Sequence, residues 1–297
     1  MLSRAMKRTV AIVGAGRVGR TLGKCLRQRG WGIGAVVARS TARSRAALRA
    51  IGTGTASKRL TREVFASDIV LLTVPDDAIA TVASELARFG REACRGKIIL
   101  HTSGALDASV LEPLARLGAS TGSLHPMQTF TGRSIPNLEG IIFGVEGSPA
   151  ARRAAQAMAR SLGGIPVVIA TKSKPAYHAA GALVAGHALA LLEASTQILR
   201  PLGFLRRRAL QTLLPLIRQM LENFERLGPR AAWTGPVARG DYAVVAKHMQ
   251  ALQKYSPEFR QSYAALARLG ARVLAVNPKE KLRELDRVLQ DPLGGKN

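Results

Sequence analysis

Thr9 to Val13 (Thr-Val-Ala-Ile-Val) is a short β-branched and apolar run, the pattern of a strand buried on both faces. Gly14, Gly16 and Gly19 follow it, and Val18, Leu22 and Leu26 then recur at helical intervals until Gly30 ends the pattern. The same alternation continues down the chain. Ile33 to Ala38 predicts a second strand and Ala42 to Ile51 a helix. Asp68 to Pro75 predicts a buried strand ending in Val74-Pro-Asp-Asp, with Asp77 placed to cap a helix running to about Phe89. Lys97 to His101 predicts a further strand ending in His101-Thr-Ser-Gly, and a weaker helix covers about Asp107 to Leu117. A short strand then leads into Leu124-His-Pro-Met-Gln-Thr-Phe. Ile141 to Val145 and Pro166 to Ile169 read as final strands flanking a helix over 149–162.

From about Lys174 the period is helical and strand signals cease. Helices are predicted near 174–200, 205–227, 241–253, 257–275 and 278–290, punctuated by Gly203, Pro229, Gly235, Pro236, Gly240, Pro257 and Pro278. The first is rich in Ala and Gly on nearly all sides, which predicts a central, tightly packed helix. Its most apolar part, Ala179 to Leu192, is shorter than a membrane span and contains His187, so it reads as a buried helix. Alternating strands and helices followed by helices alone predict an α/β protein. Its first part is a doubly wound, mostly parallel Rossmann sheet over residues 1–172, and an all-helical C-terminal domain covers 173–297. Ligands bind beyond the carboxyl ends of such strands. Loops 14–19, 39–43, 74–77, 101–104 and 125–130 are therefore expected on one edge.

Strand, G-x-G-x-x-G turn and helix in that order form a dinucleotide-binding fingerprint. Gly14 allows the tight turn, Gly16 lets the backbone approach a pyrophosphate, and Gly19 lets helix and strand pack closely. Ala15, Arg17 and Val18 complete the turn, whose helix N-terminus offers N–H groups to phosphate. An NAD site needs an acidic residue after the second strand for the ribose 2′-hydroxyl, yet no acidic residue occurs before Glu63. Arg39, Ser40 and Arg43 stand there instead and suit a 2′-phosphate, so the expected cofactor is NADP(H). Val74, Pro75, Asp76 and Ser103, on the next two loops, are expected along the nicotinamide.

Composition changes this picture little. The chain has 297 residues, 47% of them hydrophobic, enough for a sizeable core. A net charge of +25 raises the question of nucleic acid. The basic residues are mostly Arg scattered along an Ala-rich chain, without recognition patterns and with only 4% aromatics, so no nucleic-acid partner is expected. The positive field instead favours anionic small molecules. Two cysteines give neither disulfide framework nor metal spacing, the five histidines show no ligand spacing, and no metal is expected. The first residues run almost directly into the first strand, leaving no room for a signal peptide, so a cytoplasmic location without membrane association is expected.

Two places carry candidate chemistry. Tyr177-His178 opens the central helix, and an imidazole is well matched to proton transfer near neutral pH. A lone helical His is as readily a packing residue, and both readings stand at this point. His187 falls on roughly the opposite face. Thr234-Gly-Pro-Val-Ala-Arg-Gly-Asp241 reads as a helix start capped by Asp241, and its Arg239 is suited to hold a substrate carboxylate bidentately.

Gly14-Ala-Gly-Arg-Val-Gly, Val74-Pro-Asp-Asp, His101-Thr-Ser-Gly, Leu124-His-Pro-Met-Gln-Thr-Phe, Tyr177-His-Ala-Ala and Thr234-Gly-Pro-Val-Ala-Arg-Gly-Asp together resemble the Rossmann-like, domain-of-unknown-function-2520 family over about residues 8–275. The resemblance implies an NADP-binding domain joined to a helical domain that commonly mediates dimerisation, hence a homodimer. The plan is similar to that of ketopantoate reductase, pyrroline-5-carboxylate reductase and 6-phosphogluconate dehydrogenase. One departure is Gly186, where the family usually carries an Asn. By helical spacing His178 faces Ala182 and Gly186, neither of which offers a polar side chain. The leading expectation is an NADPH-dependent reductase of a small keto acid, with ketopantoate as the best single candidate, His178 as acid, and Arg239 and Asp241 at the substrate. The alternatives are an imine reductase of pyrroline-5-carboxylate type and a non-catalytic NADP-binding regulatory protein.

Overall fold

Val10 and Ile12 join the core on one face of the sheet, and Ala11 and Val13 join the core on the other; all four are buried. This is what a strand with no polar side chain in its middle must do. The structure, a computed structural model, describes residues 8–290. The chain divides into two compact units, one ending at His187 and one beginning at Ala188.

The first unit is an eight-stranded sheet in the order β3-β2-β1-β4-β5-β6-β7-β8. The strands are β1 (Thr9–Val13), β2 (Gly32–Val37), β3 (Thr55–Ser57), β4 (Ile69–Leu72), β5 (Ile98–His101), β6 (Ser120–Pro126), β7 (Ile142–Gly147) and β8 (Ile165–Val168). Every pairing is parallel except β6 with β7, where His125 lies opposite Gly144. Helices α1 (Arg17–Gln28), α2 (Thr41–Ile51) and α4 (Pro149–Ser161) contribute Leu22, Leu26, Ile51 and Met158 to one face. Helix α3 (Asp76–Ala87) contributes Ile79 and Leu86 to the other. Strand order reverses between β1 and β4, and beyond their carboxyl ends lies the crevice in which this class of sheet binds ligands. Strand β3 departs from the sequence expectation. It is three residues long and only partly covered, too short for a period to register.

Helix α5 (Lys174–Ala182) also belongs to the first unit, so the boundary falls after His187 rather than after residue 172. A π-helical turn, Leu183–His187, joins it to α6 (Ala188–Leu199). The wider π turn breaks the four-residue spacing, so Gly186 does not continue the face shared by His178 and Ala182. The helical stretch also departs from expectation in burial. Among its residues only Lys174 and Thr196 are buried, while Leu183, Val184 and Leu189 stand exposed. With its flanking turns it spans Thr171–Leu202, long and apolar enough by length and composition to cross a membrane, and thus not short of that length.

The second unit continues with α7 (Arg206–Leu227), α8 (Tyr242–Ala251), α9 (Pro257–Leu274) and α10 (Pro278–Gln290). Its core is Val245, Met249, Ala264, Ala271, Leu285 and Leu289, supplied by α8, α9 and α10. Helix α7 buries only Ala209 and exposes Leu216, Met220, Phe224 and Leu227, a stripe at helical spacing.

Candidate active site

The glycine turn is built as its sequence requires. Gly14 has φ +96°, and a Cβ there would sit 2.6 Å from both the backbone nitrogen and Cγ1 of Val74. Only glycine lets β1 turn this closely over the end of β4. Thr73 fixes the turn by donating its hydroxyl to the Gly14 carbonyl at 2.7 Å. A Cβ on Gly19 would strike the Thr73 hydroxyl and the Gly14 carbonyl, whereas one on Gly16 would meet only the Gly14 carbonyl, at 3.8 Å. Gly19 therefore serves helix–strand packing and Gly16 leaves its outer face open. Helix α1 starts at Arg17 with no side-chain cap, so its first N–H groups are left for a ligand or water. Ala15 is buried beneath the turn, Val18 packs on the core and Arg17 is exposed.

Beside this turn a cavity of about 660 Å³ is lined by Gly14, Arg39, Lys58, Arg59, Val74 and other residues of the same edge. Parallel pairing of β2 with β3 (Val37 opposite Ser57) brings Lys58 and Arg59 next to Arg39. The Ser57 hydroxyl donates to the Arg59 carbonyl at 2.7 Å and accepts from the Arg59 N–H at 3.1 Å, which shapes that turn. Sequence reasoning misses both cations because it misses β3. Ser40 caps α2 and accepts from the Arg43 N–H at 3.3 Å; Arg43 is exposed and is not among the residues lining the cavity.

The loops after β4 and β5 are tied together. Pro75 precedes the first residue of α3, which is Asp76, so Asp77 lies inside the helix and does not cap it. Asp76 instead accepts from the Ser103 hydroxyl at 2.6 Å. That hydroxyl also accepts from the Ala105 and Leu106 N–H groups at 3.2 and 3.0 Å. Ser103 is thus a buried organising group whose side chain is fully used within the protein.

Behind it lies Lys174, the first residue of α5, 2% exposed. Its Nζ donates to the Ser123 hydroxyl at 2.7 Å and to the Ser103 carbonyl at 3.2 Å. Burial pulls its pKa down, opposed by the carboxylates of Glu146, Asp107 and Asp76. His101 is fully buried, with Nε2 against the Asp107 carbonyl at 3.1 Å and Nδ1 accepting from the Ser103 N–H at 3.2 Å. Burial, with Lys174 as a second influence, pushes its pKa down to about 4, so it is a neutral structural ring.

Above this layer three aromatic groups meet, and two of them, His125 and His178, converge on Gly104. His125, at the end of β6, has Nδ1 3.2 Å from the Tyr177 hydroxyl. Its ring meets that of His178 edge to face at a centroid distance of 5.6 Å. A Cβ on Gly104 would fall 2.7 Å from His178 Cδ2 and 2.8 Å from His125 Nε2. His125 is pushed down to about 4 by burial, then by His178 and Lys174, whereas His178 is exposed to water. Tyr177 and His125 are legible in the sequence only as parts of motifs. Their meeting depends on the antiparallel pairing of β6 with β7, because the Tyr177 ring stacks over Gly144, directly opposite His125.

Arg239 and Asp241 come together with each other: Arg239 Nε donates to Asp241 Oδ2 at 2.8 Å in a largely exposed pair. Asp241 occupies the cap position of α8, but its side chain makes no capping bond. Both belong to the second unit and His178 to the first. Among the described residues no group of three or more His, Cys, Asp or Glu is placed to hold a metal ion.

A doubly wound sheet with a glycine turn, an uncapped helix start and a basic cavity at its carboxyl edge defines a dinucleotide-binding protein of Rossmann type. Residues 3–126 match the Rossmann-like domain, and residues 141–269 match the domain of unknown function DUF2520. The chain thus carries a Rossmann-like domain followed by a DUF2520 domain. No curated protein matches the sequence at a significant level. Among solved structures it is similar to protein BF3122 of Bacteroides fragilis, provisionally assigned as an NADP oxidoreductase: 21% identity, 88% of this chain and 97% of that one covered, TM-score 0.74. It is similar to protein TM1727 of Thermotoga maritima at 25% identity, covering 95% and 99%, with TM-score 0.68. The Streptomyces aurantiacus imine reductase shares 14% identity over 96% and 95% of the two chains, with TM-score 0.61.

Proposed function

We propose that this protein is an NADP-dependent oxidoreductase that reduces a small carbonyl compound bearing a carboxylate, with ketopantoate (2-dehydropantoate) as the first substrate to test. The observation that carries this reading is one sheet edge holding both a glycine turn beside a cavity lined by four cations (Arg39, Lys58, Arg59 and Arg88) against one carboxylate (Glu85), and a cluster of proton-bearing rings. The residues fit the cofactor. Gly16 is open where the pyrophosphate backbone would approach, and Arg39, Lys58 and Arg59 suit a 2′-phosphate that an acidic residue would repel. When bound, the nicotinamide supplies the hydride.

The protein's own groups supply binding, orientation and a proton. Asp76 and Ser103 lock the loops beyond β4 and β5 to each other, and Lys174 anchors the Ser103 carbonyl from below. Hydride arrival at a carbonyl carbon leaves negative charge on the oxygen. His178, in contact with water, gives that oxygen a proton and regains one from solvent. A carbonyl is favoured over an imine because ring N–H donors and the Lys174 ammonium behind Ser103 suit negative charge developing on oxygen better than an iminium ion. The imine reading draws on the likeness to an imine reductase fold. NADPH oxidation with 2-dehydropantoate, with 1-pyrroline-5-carboxylate and with neither separates the two.

The functional form in this reading is a homodimer. The α7 stripe of Leu216, Met220, Phe224 and Leu227 and the exposed Leu189 and Leu191 of α6 leave the second unit with a large apolar surface. A second copy of the chain is the occupant proposed for it. Sedimentation of the wild type at dimer mass, and of Met220→Glu at monomer mass, is the expected result; a wild-type monomer, or one that sediments with lipid vesicles, refutes it.

A further inference from the structure

We propose that His125 is a second catalytic donor, a neutral imidazole protonated on Nε2 that hydrogen-bonds the substrate oxygen, with Tyr177 as the positioning residue that sets its tautomer. The inference rests on the reductase reading for the identity of the substrate, but the tautomer is tested independently of it.

The Tyr177 ring packs directly over Gly144, the residue opposite His125 on β7. The Tyr177 hydroxyl is placed to donate its hydrogen to His125 Nδ1, 3.2 Å away. A neutral ring that accepts at Nδ1 carries its proton on Nε2. Nε2 has no hydrogen-bond partner among the described residues, and it is the atom that faces the space left by the missing Gly104 side chain. A donor with a free N–H, held by a fixed relay and aimed over a glycine at the end of β5, is arranged to receive an oxygen.

The groups facing His125 agree with a neutral ring. Tyr177 and His178 come from α5, Lys174 lies at the start of the same helix, and Gly144 is on the paired strand β7. None of these is a carboxylate that would draw a second proton onto the ring. The two histidines therefore divide the work. In reducing C=O to CH–OH the carbonyl carbon takes the hydride, the C=O π pair moves to oxygen, and His178 delivers the proton. His125 keeps its own proton and only stabilises the developing charge, so it needs no recharging between turnovers.

The test uses the full-length protein labelled with ¹⁵N-histidine, read by two-bond ¹H–¹⁵N correlation between pH 5.5 and 8. One histidine, absent from His125→Gln, is expected to stay neutral and Nε2-protonated throughout, and Tyr177→Phe is expected to abolish that tautomer preference. Adding NADP⁺ with 2-dehydropantoate, which cannot react together, is expected to shift the His125 Nε2–H resonance. In turnover, His125→Phe is expected to lose about a hundredfold in kcat, the loss typical of removing one oxyanion donor. His125→Gln, whose amide can donate from nearly the same point, recovers part of it, with NADPH affinity unchanged in both. An Nδ1-protonated or cationic His125, or full activity in His125→Phe, overturns the proposal. A wild type inert toward 2-dehydropantoate and toward 1-pyrroline-5-carboxylate, but with the expected tautomer, removes the reductase reading and leaves the donor geometry standing.

Discussion

Replacing Gly104 with alanine separates folding from chemistry. The added methyl would lie 2.7 Å from His178 Cδ2, 2.8 Å from His125 Nε2 and 2.9 Å from His125 Cε1. Ordinary carbon contacts need about 3.5 Å or more, so both rings must withdraw by roughly 0.7 Å. The atoms struck are the ends of side chains and His178 is exposed, so the backbone has no reason to move. The stability cost is therefore expected near the low end for overpacking, about 1 kcal/mol. The catalytic cost is larger, because displacing a reacting group by about 1 Å can cost on the order of a hundredfold in rate. Gly104→Ala should bind NADPH as the wild type does, by quenching of protein fluorescence, keep its melting temperature within a few degrees, and lose most of its kcat. A variant with full turnover would mean that these rings do not meet the reacting atoms. One that fails to bind NADPH would mean that the loop was distorted and the side-chain argument is wrong.

Three further outcomes are expected. His101 is neutral in the folded and unfolded chain above pH 6.5, while between its ordinary 6.5 and about 4 only the unfolded chain takes up the proton. Stability should thus fall with pH through that window, by about 3 kcal/mol once below 4. Urea unfolding of His101→Gln, compared with wild type at pH 7 and 4.5, should show a shallower loss; parallel losses would refute the assignment. Ala at Arg39, Lys58 or Arg59 should each raise the KM for NADPH about tenfold, the worth of a charge-assisted hydrogen bond, with the KM for NADH unmoved; equal effects on both cofactors would remove the 2′-phosphate role. Arg239→Ala should leave the melting temperature within a few degrees of the wild type, because its bond to Asp241 is exposed; a large drop would mean that this pair holds the 234–241 loop in place.

The parts of the molecule legible in its sequence are those where one local rule decides. Thr9–Val13 followed by three glycines admits few other structures, and Gly14 and Gly19 are confined by contacts a neighbouring strand must make. The helices of the second half are legible to within a residue or two because proline and glycine bound them. What escapes depends on strand order and on neighbours distant in sequence. Lys58 and Arg59 reach the cavity only because a three-residue strand pairs with β2. The cluster over Gly104 needs β7 to run antiparallel so that Tyr177 meets His125. The apolar 174–200 stretch reads as buried because hydropathy reports that a surface avoids water, and says nothing of whether the same chain or another copy covers it. Asp77 reads as a cap because helix α3 begins two residues earlier than its period suggests, at the residue Ser103 holds.

The central claim is tested most directly by following NADPH oxidation at 340 nm by the purified full-length protein with 2-dehydropantoate, beside an NADH control. The account predicts turnover that strongly prefers NADPH and collapses in His178→Ala with NADPH binding retained. Protein that binds NADPH yet oxidises none with 2-dehydropantoate or 1-pyrroline-5-carboxylate, or that prefers NADH, would contradict it.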